Sequence, residues 1–220
     1  LARLRHPGLV AALGQGEWRG LPFLVLEYAP GESLEQRLRG GTLESPEVLR
    51  IGIELAEALG AAHRAGILHR DVKPSNVILR EDSGRTALVD FGLTKDSLRE
   101  GLTADLTRTG MLQGTPGYWA PEQAAGQRDA LGPHTDVFQL GATLYALLQG
   151  RPPFDSANLM QLAQATLSGR YAPLPQRVPP QLRAVIERCL ALAPEERYPD
   201  GDAAAEALRE LDLGAPRREG

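Results

Sequence analysis

The chain has 220 residues, 42% of them hydrophobic and 24% charged, which suits one soluble globular domain with a substantial core, built of two lobes. A net charge of -4 removes any bulk electrostatic case for nucleic-acid binding. Cys189 is the only cysteine, which excludes an intramolecular disulfide and a zinc cluster.

Leu1 to Arg5 read as the last turn of a helix stopped by His6-Pro7-Gly8. A strand is expected over Leu9–Leu13, a turn from Gly14 to Gly20, and a second, more buried strand over Leu21–Tyr28, broken by Pro30-Gly31. Beyond that point the pattern is mostly helical. The strongest helix runs from Pro46 to about Ala65, with Ser45 as its cap, Pro46 at the first position and Gly66 as its stop. Val48, Ile51, Leu55, Leu59 and Ala62 form its apolar stripe.

Val77–Leu79 and Thr86–Val89 read as short strands around an Asp82-Ser83-Gly84 turn. Residues 93–119 are long, polar and aperiodic, the signature of a functional loop. Asp136–Leu148 is an apolar helix too short to span a bilayer, and three more helices are expected near 157–168, 180–192 and 201–212. Cys189 lies at helical spacing from Val185 and Ile186, so it reads as a buried thiol. Gly214–Gly220 reads as a tail or the start of a linker.

The chemistry concentrates in His69-Arg70-Asp71-Val72-Lys73-Pro74-Ser75-Asn76, followed after the strand pair by Asp90-Phe91-Gly92. Asp71 can accept or orient a hydroxyl proton, and Lys73, two residues on along an extended loop, can neutralise a moving phosphate. Asn76 and Asp90 supply the hard oxygens that magnesium prefers. Gly14-Gln15-Gly16-Glu17-Trp18-Arg19-Gly20 imitates a phosphate-binding glycine loop but is rejected, because no lysine-bearing strand follows it. No lysine precedes Lys73 at all. His6, His63 and His134 show no ligand spacing and read as structural.

This constellation resembles the eukaryotic-type serine/threonine protein kinase family, widespread in bacteria, over nearly the whole chain from Leu1 to about Leu211. A bacterial source also fits the composition, rich in glycine, proline and arginine with only two lysines, Lys73 and Lys95. The resemblance implies an α+β fold: a mainly helical C-lobe over residues 30–213, with residues 1–29 as a remnant of the N-lobe sheet and the hinge. It implies ATP and Mg2+ as cofactors and protein Ser/Thr hydroxyls as acceptors. Gly114-Thr115-Pro116-Gly117-Tyr118-Trp119-Ala120-Pro121-Glu122 resembles the substrate-docking segment, with Thr115 near the acceptor hydroxyl and Glu122 paired to Arg197. Asp136 resembles the helix aspartate that holds the catalytic loop, and His69 and Phe91 would stack in the internal spine.

Leu26 would occupy the gatekeeper position, backbone groups of Glu27 and Ala29 would meet the adenine edge, and Ile78 would pack beneath the ring. Arg70 would receive a phosphate carried by Thr107 or Thr109, a switch that invites self-association for autophosphorylation. The family's glycine loop, nucleotide lysine and its partner glutamate would lie before Leu1, so the sequence reads as an N-terminally truncated fragment, cytoplasmic in character with room for a membrane anchor elsewhere in the parent, and nearly inactive alone. The alternatives are a noncatalytic pseudokinase or docking module, and a small-molecule phosphotransferase. The latter is disfavoured by the Gly114–Glu122 segment and Arg197.

Overall fold

Alternating patterning near the N-terminus and helical periodicity after it sort the chain into a sheet-bearing part and a helical body. The computed structural model describes residues 4–19, 21–90 and 114–212. In order these form β1 (Ala12–Trp18), β2 (Leu21–Leu26), β3 (Gly31–Ser33), α1 (Leu34–Leu38), α2 (Ser45–Arg64), β4 (Val77–Arg80) and β5 (Thr86–Leu88). Then come α3 (Pro121–Ala124), α4 (Pro133–Gln149), α5 (Leu159–Ser168), α6 (Pro180–Cys189) and α7 (Gly201–Arg209).

The body is organised around α4. From Thr135 through Leu148 every residue is buried, as expected of a helix packed on all sides. Pro133 starts it where no N–H is needed, and Gly150 ends it in the left-handed conformation (φ 82°) that suits glycine. The stripe Val48, Ile51, Leu55, Leu59 and Ala62 of α2 is completely buried between α4 and α7. Cys189, at the end of α6, is buried against Gly141 of α4.

Several boundaries differ from the sequence expectation. Glu44, not Ser45, occupies the N-cap of α2, and no side chain caps it; Ser45 is the first helical residue. The helix stops as anticipated, with Gly66 at φ 72° and the Ile67 N–H bonded to the Ala62 carbonyl at 3.0 Å. The turn expected over Gly14–Gly20 is instead mostly strand: β1 runs to Trp18 and pairs antiparallel with β2, from Ala12 opposite Leu26 to Trp18 opposite Leu21. Backbone pairing overrode the weak strand propensity of the glycines. Leu9 makes only an isolated parallel bridge to Leu88. Leu4 and Arg5 join no helix.

A second sheet has the order β3-β4-β5, antiparallel throughout. The break at Pro30-Gly31 therefore opens directly into a three-residue strand, where Gly31 (φ 146°) faces the Leu79 carbonyl closely. The β1–β2 hairpin leaves Leu13, Trp18, Leu21, Phe23 and Val25 exposed, and the helical body leaves Leu159, Met160, Leu167 and Leu192 exposed. Among the described residues no helix is long and apolar enough to cross a membrane.

Candidate active site

The site is assembled from the loop after α2, the end of the β4–β5 hairpin and the segment before α3, all braced on the first turns of α4. Asp136 is fully buried there, and its carboxylate accepts three hydrogen bonds. The backbone N–H groups of His69 and Arg70 donate at 2.8 and 2.7 Å, and His63 Nε2 donates at 3.0 Å. His63 accepts from the Gly201 N–H at 3.1 Å through Nδ1, so one imidazole joins α2, α4 and α7. Sequence reasoning placed Asp136 beside the loop but left His63 without a partner.

His69 is fully buried. Its Nε2 donates to the Val89 carbonyl at 2.9 Å and its Nδ1 accepts the Asp71 N–H at 3.3 Å, which defines a neutral ring. Burial holds its pKa below the ordinary value, against the opposing pull of Asp136. Arg70 sits at φ 65°, unusual for a non-glycine residue, and turns its carbonyl towards α4. That carbonyl accepts from Gln123 Nε2 at 2.9 Å and Gln139 Nε2 at 3.1 Å. Gln139 also accepts the Val72 N–H at 3.0 Å. Neither glutamine was singled out in the sequence. The available signal was one long polar side chain inside the apolar run Val137-Phe138-Gln139-Leu140.

Asp71, 4% exposed, lies at the centre. Lys73 Nζ donates to its Oδ2 at 3.0 Å, and the Thr115 hydroxyl donates to its Oδ1 at 2.9 Å. Lys73 Nζ also contacts Thr115 Oγ1, closing a triangle of carboxylate, ammonium and hydroxyl. Asn76 Nδ2 donates to the Asp71 carbonyl at 2.8 Å, which leaves the amide oxygen for another partner. The Val89 N–H bonds to the Asn76 carbonyl at 2.9 Å and so brings Asp90, exposed and at φ 61°, next to this group. One amide oxygen and one carboxylate are hard donors of the kind magnesium takes, so Asn76 and Asp90 could hold such an ion.

The segment Leu26–Ala29 leaves β2 beside the β4–β5 hairpin. The Glu27 N–H bonds to the Ala11 carbonyl at 2.8 Å, so only its carbonyl remains for a ligand. Its side chain pairs with Arg80 at 2.8 Å and accepts the Ala11 N–H at 3.2 Å; the bond to Arg80 leads the causes that lower its pKa. Leu26 is exposed, while Ala29 and Ile78 are half-buried. Phe91, Thr107 and Thr109 lie outside the described residues.

Glu122 and Arg197 meet below the segment of Gly114–Ala120, at 2.9 and 3.0 Å. Arg197 donates its other N–H groups to the carbonyls of Ala191, His134 and Leu192, so all five are satisfied. Burial pushes Glu122 up, but Arg197 and the Thr135 hydroxyl outweigh it, and its pKa falls below the ordinary carboxylate value.

The protein kinase domain model matches residues 1–210. The chain is 36% identical over 220 residues to the probable serine/threonine-protein kinase pknA2 of Bifidobacterium longum, covering 98% of this chain and 28% of that protein. It is 36% identical over 231 residues to the serine/threonine-protein kinase PknL of Mycobacterium tuberculosis, covering 99% of this chain and 56% of that protein. With PknA of the same species identity is 36% over 221 residues, 97% of this chain and 49% of PknA. The chain thus spans between about a quarter and just over half the length of these curated relatives. By the match of the protein kinase domain model over nearly its whole length, and by its identity to these bacterial relatives, the chain belongs to the protein kinase family, in the company of bacterial serine/threonine kinases.

Proposed function

We propose that this chain forms the catalytic lobe of a serine/threonine kinase that transfers the γ-phosphoryl group of ATP to protein hydroxyls. One observation carries the reading: the Thr115 hydroxyl is hydrogen-bonded to Asp71 with Lys73 against both. An acceptor serine or threonine replacing that contact meets a carboxylate to take its proton and an ammonium to neutralise the phosphate. Asp71 orients the hydroxyl and takes the proton, and Lys73 stabilises charge on the transferred group. Asn76 and Asp90 would hold magnesium, which would supply neutralisation of the phosphate charge. Leu26, Glu27, Ala29 and Ile78 would frame the adenine, with Arg70 as receiver for a phosphate on Thr107 or Thr109.

Residues 1–72 contain no lysine, so the cation expected at the α- and β-phosphates has no lysine candidate in this part of the chain. We therefore expect residues 1–220 alone to have little activity, because phosphate positioning supplies much of this catalysis. The exposed apolar side chains of β1 and β2 should also make the segment poorly soluble alone. A second reading is a noncatalytic module that binds a partner through its helical lobe.

The deciding experiment is ATP- and magnesium-dependent autophosphorylation of the full-length protein beside Asp71→Asn, with phosphate mapped by mass spectrometry. Phosphate on Thr107 or Thr109 that disappears in the variant supports a self-activating kinase. Absence of phosphate, together with absence of magnesium-dependent nucleotide binding, moves the reading to the noncatalytic module.

A further inference from the structure

Gln139 occupies a position in α4 where neighbouring side chains are apolar, and it is fully buried. A buried amide is tolerated only when its polar atoms are satisfied, and this one is used on both ends. Its oxygen accepts the Val72 N–H at 3.0 Å. Its nitrogen donates to the Arg70 carbonyl at 3.1 Å and to Gln123 Oε1 at 3.0 Å. Arg70 and Val72 flank Asp71 on either side, so a single side chain holds both peptide groups that fix the catalytic carboxylate. Gln123 in turn accepts the Ala120 N–H at 3.0 Å and donates to the same Arg70 carbonyl at 2.9 Å. The two amides thus form a closed ring of bonds joining the loop of Asp71, the Ala120–Gln123 segment and α4.

We propose that Gln139 is a positioning residue for phosphoryl transfer, which with Gln123 makes the placement of Asp71 depend on the seating of the substrate-side segment. This rests on the kinase reading of the site. Asp136 holds the N–H groups of His69 and Arg70 from one side; without Gln139 the Val72 N–H is left unpaired in a buried place and the Arg70 carbonyl loses one of its two amide donors. Proton transfer tolerates little misplacement, so the loss falls on turnover rather than on nucleotide affinity.

Gln139→Met keeps length and packing while removing all three bonds. In the full-length protein we expect kcat to fall about tenfold or more with KM for ATP changed less than about twofold. Amide exchange at Val72 should accelerate about tenfold in the same variant. Cys189→Ala, a cavity variant remote from Asp71, serves as the stability control: a comparable fall in Tm should leave kcat unchanged. The proposal is overturned if Gln139→Met retains wild-type kcat, whatever its exchange, or if Cys189→Ala loses as much turnover. If the wild-type protein transfers no phosphate, the kinase reading fails, and exchange at Val72 alone decides whether Gln139 anchors the loop: acceleration upholds the anchor, and an unchanged rate overturns it.

Discussion

Arg197 holds Glu122 through two parallel hydrogen bonds while its guanidinium carbon lies 4.9 Å from the Phe138 ring centroid, so one side chain closes the start of α3 onto the core of α4. Both side chains are almost entirely removed from water. Removing one partner strands the other charge, so Arg197→Ala should cost about 3–5 kcal/mol, measured by urea denaturation. The pair also has a pH signature. Glu122 is depressed in the folded state, so its stabilisation is complete above the unfolded value of 4.5 and is lost as pH falls through the folded pKa. A denaturation midpoint that stays flat down that acid limb would contradict the pairing.

Asp71→Asn should reduce transfer by about 100-fold to 10,000-fold in the full-length protein, the usual worth of a positioned base. The amide keeps the size of the side chain, so the melting temperature should change little. Thr115→Ser retains the hydroxyl on Asp71, and Thr115→Val removes it. The serine variant should therefore resemble the parent in kcat/KM for peptide, and the valine variant should lose activity; equal rates in the two would sever Thr115 from the site.

Stability should decline between about pH 7.5 and pH 5.5. His69 and His6 both have folded pKa values lowered, chiefly by burial, from 6.5. The unfolded chain therefore takes up protons first as the pH falls, and stability that is full above 6.5 is lost on the way down. Both rings also accept a backbone N–H at Nδ1, from Asp71 and Gly8 respectively, which a proton there would forbid. The urea midpoint at the two pH values checks this, and His6→Asn should remove part of the slope.

Burial pushes the Cys189 thiol up to about 12. The thiolate is the reactive form, so the native protein should resist a thiol reagent at neutral pH and react only at the rate of opening. Rapid labelling without denaturant would show that α6 is not seated on α4 as described.

Gly31→Ala should be among the most damaging small substitutions. At φ 146° the backbone disfavours a side chain, and the new methyl would collide with the Leu79 carbonyl. Overpacking against backbone, with that strain added, should cost about 3 kcal/mol, visible as a lowered urea midpoint.

What could be read from the sequence was what depends on local pattern or on fixed spacing. The α2 stripe and the four later helices followed from periodicity, and the joining of Asp71, Lys73 and Asn76 followed from their position on one short loop. The Glu122–Arg197 pair, far apart in sequence, was anticipated only through family resemblance. Long-range polar satisfaction was not legible. Nothing local shows that His63 reaches Asp136, or that Gln139 turns to Arg70 and Val72, because those partners are set by how α2 and α4 pack. Ser45 failed as a cap because the helix begins at that residue itself, with the extended Glu44 before it.

The bridge between Leu9 and Leu88 has a mechanical consequence. The Leu88 N–H binds the Gly8 carbonyl at 2.8 Å and its carbonyl receives the Val10 N–H at 3.1 Å, while Glu81 N–H binds the Pro30 carbonyl at 3.0 Å. Both chain segments leading to the β1–β2 hairpin are thus moored to the β4–β5 hairpin, which leads into Asp90. Asp71 and Lys73 have a different mooring, the buried polar groups of α4. The two foundations meet at two bonds, from Asn76 to the Asp71 carbonyl and from His69 to the Val89 carbonyl, so the placement of Asp90 relative to Asp71 rests on a short polar joint rather than on the apolar core.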